Sequence, residues 1–143
     1  MSRVSLIAIA AVVAMAGSAA QAGILHYAAT LKGANEKPPT ASGGRGELEG
    51  VLDTDRRLLE YDVTFTGLSG PALGAGFHGK DAAMNAAVTF QPTQKPNSIH
   101  AQVSLTDAQI NDLNAGRWTF DITTKDNPGG EIGGTVERSS GSY

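Results

Sequence analysis

The chain has 143 residues, with 11 Lys and Arg against 14 Asp and Glu, a formal charge of −3, and no cysteine. Its scattered, near-balanced charge excludes a basic surface for nucleic acid or an anionic membrane. The missing thiol excludes disulfide staples, thiol catalysis and cysteine-ligated metal, so burial and backbone pairing alone must hold the domain.

The first residues form a targeting segment. Arg3 supplies a positive start, Val4 to Ala16 is an almost unbroken apolar run, and Ala20-Gln21-Ala22 places small residues where a signal peptidase reads. The run is shorter than the roughly 20 residues that span a bilayer and lacks a charged stop, which argues against a retained anchor. A lipoprotein signal would need a cysteine. Residues 1–22 are therefore expected to be a signal peptide, 23–138 one domain, and 139–143 a frayed tail. No second long apolar run follows, so no membrane span is expected in the mature chain.

Most of the remainder alternates with period two, the mark of half-buried strands. Leu25, Tyr27, Ala29 and Leu31 share one face of a first strand. Leu48, Gly50 and Leu52 do so in a second; after the Asp53-Thr54-Asp55 turn, Leu59, Tyr61, Val63 and Phe65 do so in a third. Ala87 to Phe90 is a shorter candidate. Ile99, Ala101, Val103 and Leu105 mark another strand, then Trp118, Phe120 and Ile122, and finally Ile132, Gly134 and Val136. Between the Ile99–Leu105 and Trp118–Ile122 stretches lies one helix: Thr106 caps it, Gln109 completes a capping box, Gly116 suits its end, and Ile110 and Leu113 face the core. Gly- and Pro-rich breaks separate the strands, as in Lys37-Pro38-Pro39 and Asn127-Pro128-Gly129-Gly130. The expected fold is all-β: an antiparallel Greek-key β-sandwich, immunoglobulin-like or superoxide-dismutase-like, with one short helix in a connection.

Chemistry-bearing residues are sparse. His26 and His100 fall on the polar faces of predicted strands, and no pair of histidines has metal-ligand spacing. His78 sits in Gly74-Ala75-Gly76-Phe77-His78-Gly79, which reads as a loop histidine bonded to a nearby carbonyl, with ligand contact as the alternative. Asn35 and Glu36 precede the Pro38-Pro39 pair, where Glu36 is placed to accept backbone donors as the loop folds over the end of the sandwich. A catalytic role would need a neighbouring acid or histidine. Glu131 follows the Asn127–Gly130 turn, whose glycines permit positive φ, and is expected in a local hydrogen-bond network. No nucleophile elbow, phosphate loop or Ser-His-Asp set is present.

In order along the chain, Leu31-Lys32-Gly33-Ala34-Asn35-Glu36-Lys37-Pro38-Pro39, Gly43 to Leu52, Leu59-Glu60-Tyr61-Asp62-Val63, Gly67-Leu68-Ser69-Gly70, Leu105-Thr106-Asp107-Ala108-Gln109 and Asn127-Pro128-Gly129-Gly130-Glu131-Ile132 resemble the CHRD family. The resemblance runs from about Gly23 to Glu137. Three positions depart from it: Gly76 and Thr123 stand where the family commonly has histidine, and Gly133 where it has arginine. A metal or acid-base role inferred from those family residues therefore transfers poorly.

The signal segment leads us to expect an exported protein, periplasmic or extracellular, and the resemblance implies a non-catalytic module that binds a ligand or protein partner, or serves structurally. In chordin such domains sit in an extracellular protein that binds signalling factors. The alternative is a metal-binding protein, or a redox or hydrolytic enzyme, using His78 with nearby acidic residues. The candidate ligand-binding residues are His78, Glu36, Glu131 and Asn35. No catalytic residue, metal site or cofactor is expected.

Overall fold

The computed structural model describes residues 23–79, 86–89 and 97–140. The expected signal segment, Phe90 and the last three residues lie outside these. The strands are β1 (Ile24–Lys32), β2 (Arg45–Asp53), β3 (Leu58–Thr66), β4 (Gly74–His78), β5 (Ala86–Thr89), β6 (Ser98–Ser104), β7 (Thr119–Thr123), β8 (Ile132–Thr135) and β9 (Glu137–Ser139), with helix α1 at Asp107–Asn114.

All strand pairs among the described residues are antiparallel, and the path of neighbours runs β5-β4-β7-β8-β1-β2-β3-β6, with β9 also on β1. The all-β class with one short helix holds. The path is continuous because β1 is shared at both ends: Lys32 pairs Gly133 of β8, and His26 to Ala28 pair β9. Pairing through β9 therefore extends to Ser139, one residue into the segment expected to fray.

The alternation read from the sequence explains which face turns inward. Tyr27, Ala29, Leu31, Leu48, Leu52, Leu59, Tyr61, Val63, Phe65, Trp118, Phe120, Ile122, Ile132 and Val136 are buried in one core. The sheet curls so that β3 faces β4 and β7 across this core. Tyr61 meets Phe77 at 4.8 Å and Phe120 at 5.9 Å between ring centroids, both edge to face, although β3 pairs with neither strand. Phe77 also packs on Trp118 at 5.3 Å and Phe120 at 5.0 Å. Such ring pairs each add about 0.5–1.5 kcal/mol beyond the area they bury.

Helix α1 forms as its caps dictate. The Thr106 side chain accepts from Gln109 N–H at 3.2 Å, while Gln109 Oε1 accepts from Thr106 N–H at 2.8 Å. Leu113 is buried and Ile110 packs at the core's edge. The helix also fixes Tyr27, whose hydroxyl donates to Asn114 Oδ1 at 2.6 Å.

Candidate functional site

The stretch expected to be a glycine-crowded loop around His78 is instead strand β4, paired with β7 on one side and β5 on the other. Glycine has low strand preference and no side chain, so Gly74 and Gly76 hide the period-two pattern that Ala75 and Phe77 would otherwise reveal. Tertiary pairing makes the strand. Ala75 and Phe77 point into the core, which leaves Gly74, Gly76 and His78 on the outer face. His78 also has a carboxylate partner, not a carbonyl: its Nε2 lies 2.8 Å from Asp121 Oδ2 on β7.

Asp121 occupies the outer face of β7, between the inward Phe120 and Ile122. It pairs with Gly76 on one side and Gly133 on the other. Two of the three departures from the family pattern therefore flank this acid. The third, Thr123, donates its hydroxyl to Gly74 C=O at 3.2 Å. Only 16% of the Asp121 side chain is exposed, against 46% for His78. Burial raises the Asp121 pKa, and the hydrogen bond and charge of His78 oppose that rise.

The third member arrives from the other side of β8. After β1 the chain makes a 3-10 turn at Gly33–Asn35. Asn35 Nδ2 donates to Thr30 C=O at 3.2 Å and Gly133 C=O at 3.0 Å, tying the turn across the ends of β1 and β8. Glu36 then projects onto a glycine cradle. A Cβ on Gly130 would come within 2.6 Å of Glu36 Oε2, and one on Gly133 would overlap Oε1 and lie 3.2 Å from Asp121 Cβ. Gly130 also has φ +129°, while Gly129 is not among the residues with positive φ. Glu36 Oε1 is buried with no hydrogen-bond partner among the described residues. The expected backbone donors do not reach it. Burial first, then the charge of Asp121, push the Glu36 pKa up to about 7, against the lowering influence of His78.

Glu131 is handled in the opposite way. It is fully buried, and its carboxylate accepts from Ser69 N–H (2.9 Å), Ser42 Oγ (3.0 Å), Thr124 Oγ1 (2.8 Å), Asn127 Nδ2 (3.1 Å) and Ser69 Oγ. Burial alone would raise its pKa, but the bonds from Ser69, Thr124 and Ser42 outweigh it and bring the group down to about 2. Thr40 Oγ1 also donates to Glu131 C=O at 2.7 Å. These contacts knot the 40–44 and 67–70 segments to the closing turn. Glu131 is a structural centre with no oxygen left for a ligand.

Asn35, Glu36, His78 and Asp121 line an open depression of about 970 Å³, with Lys37, Glu137 and Arg138 also on its wall; Glu131 does not reach it. Three of the four sequence candidates thus come together around an acid that sequence reasoning missed. An alternating Asp on a strand's polar face looks like any solvated residue, and only the β4–β7 register sets it beside His78. His100 lies elsewhere, on β6, with its Nδ1 2.7 Å from Asp62 Oδ1, and His26 is on β1. Among the described residues no group of three or more His, Cys, Asp or Glu side chains is arranged to hold a metal ion, and no helix is long and apolar enough to cross a membrane.

Comparison with curated proteins and with solved structures finds no significant match. The CHRD domain family model, however, matches residues 27–136, from the first strand through the Glu131 knot to Val136. A match over that much of the chain, with the knot built from Ser69, Asn127 and Glu131 of the resembling segments, establishes that the chain belongs to the CHRD domain family.

Proposed function

We propose that this chain is an exported, non-catalytic binding module and that the depression walled by Glu36, His78 and Asp121 is its recognition surface. One observation carries the reading. Polar side chains from the 33–40 loop, β4 and β7 converge on one open concavity, while the other acidic candidate, Glu131, is consumed by the fold. Concave sites with a few convergent polar groups are where small ligands and partner side chains dock. Export draws on the signal-like residues 1–22 and on CHRD membership.

Amide chemical-shift mapping of the mature domain against a panel of sugars, amino acids, amines and small carboxylates tests this. Saturable shifts centred on Glu36, His78 and Asp121 support it. Shifts confined to other faces, or none with any class, reject the depression as the binding surface.

A second reading, acid-base chemistry in the same depression, draws on the His78–Asp121 pair beside a carboxyl whose pKa is about 7. Following the same mixtures for hours separates the two, since only an enzyme converts a bound compound. Glu36 Oε1 turns toward Gly133 and not to open solvent, which favours binding over proton transfer.

The metal alternative has its own test. Cu²⁺ and Zn²⁺ should bind the chelator-treated domain only weakly, because a single imidazole with carboxylates suits these ions poorly compared with several imidazoles. Submicromolar 1:1 binding in calorimetry, abolished by His78→Ala, would replace the binding-module reading with a metal protein.

A further inference from the structure

The loop that forms one wall of the depression is fastened at its two ends and held differently in the middle. Asn35 ties its start to Thr30 C=O and Gly133 C=O, and Thr40 ties its end to Glu131 C=O. Between them, Glu36 seats its carboxyl in the cradle of Gly130 and Gly133. That seat supplies close backbone contact but, among the described residues, no hydrogen bond to Oε1. A neutral carboxylic acid fits such a seat; a carboxylate there has lost water without gaining a donor.

The surrounding charges strengthen the distinction. Asp121 of β7 faces the seat and disfavours a second negative charge, while His78 of β4 favours one. Lys37 on the same loop is exposed, and Glu137 and Arg138 of β9 complete the charged groups on the wall among the described residues. Arg138 is drawn toward the Tyr27 ring, 5.7 Å from its centroid, and toward Asn114 Oδ1 at 3.4 Å.

We propose that Glu36 is a proton-operated latch: seated while neutral, it pins residues 34–40 against the depression, and its ionisation beside Asp121 releases that wall and widens the mouth of the site. The consequence for binding rests on the depression being the recognition surface; the latch itself does not. The direction follows from linkage. The seated pKa lies above the ordinary value of 4.5, so the seating is complete below that value and is lost as pH rises through about 7.

The test needs no ligand. Carboxyl ¹³C titration of the mature domain should give Glu36 a midpoint near 7. Amide exchange of residues 34–40, corrected for its intrinsic pH dependence, should quicken about tenfold through that same midpoint. Glu36→Gln, a neutral isostere, should keep the loop protected at every pH. Asp121→Asn should lower the midpoint, and His78→Ala should raise it. A Glu36 midpoint near that of a solvated glutamate overturns the latch. So does protection that ignores the midpoint, or a pH response that survives Glu36→Gln. Loss of the latch with ligand shifts intact at Glu36, His78 and Asp121 would leave the binding reading standing. A working latch with no ligand shifts there would remove that reading alone.

Discussion

Glu131 belongs to the closing segment of residues 127–133 and Glu36 packs onto it from outside, yet the fold treats their carboxyls in opposite ways. Glu131 is fully buried and gathers donors from Ser42, Ser69, Thr124 and Asn127. Glu36 is only half-buried, but its Oε1 meets glycine backbone and, among the described residues, no donor. The more buried group has the lower pKa, about 2 against about 7. Depth alone does not set the charge state of a buried acid. The number of donors aimed at it does, because a charge removed from water is tolerated only where hydrogen bonds replace the lost hydration.

The largest loss is expected from Glu131→Ala. It would strand hydroxyl and amide donors inside the protein and untie the 40–44 and 67–70 segments from the turn. We expect a loss of about 4 kcal/mol in urea unfolding, since bonds to a charged group contribute about 1.5–3 kcal/mol each and are not additive. A loss below about 1 kcal/mol would show the knot to be dispensable. Its pH signature runs one way: the folded pKa is lowered, so its contribution is present above 4.5 and fades as pH falls toward about 2.

The cradle is the next target. Gly130→Val places a side chain at φ +129° and against the Glu36 carboxyl, so it should cost about 2–3 kcal/mol. Gly129→Val meets open space and should cost less than about 1 kcal/mol. Equal losses for the two would mean that the turn, and not the seat, sets the requirement.

The smallest effect carries the opposite pH sign. Wild-type stability should fall by about 1–2 kcal/mol more than that of Glu36→Gln between pH about 5 and 8, allowing for solvent at this half-buried group. The folded pKa is raised here, so the contribution is full below 4.5 and is lost as pH rises through about 7. Parallel pH profiles for the two proteins would place Glu36 in water, not in its seat.

Much of the scaffold is legible in the amino-acid sequence. Tyr27, Ala29 and Leu31 turn inward as their alternation requires, Trp118 is buried, and Thr106 and Gln109 cap the helix as their spacing requires. These are local signals: a strand shows its buried face every second residue, and a cap lies within one turn of the helix it starts. The Glu131 network was legible in kind, as an acid after a tight turn. Its donors Ser42 and Ser69 come from 89 and 62 residues away, beyond the reach of any local pattern.

By itself, then, the amino-acid sequence determined the all-β class, the inward faces, the capped helix and the family, because each rests on short-range periodicity or on motifs in order. The tertiary structure alone decided that Gly74–His78 is a strand, that Asp121 stands beside His78, and that Glu36 is seated on Gly130 and Gly133. Those outcomes depend on inter-strand register and on a loop crossing two strand ends. A one-residue slip in that register would turn Asp121 to the opposite face, and nothing within the β7 segment alone selects between the pairing partners that fix it.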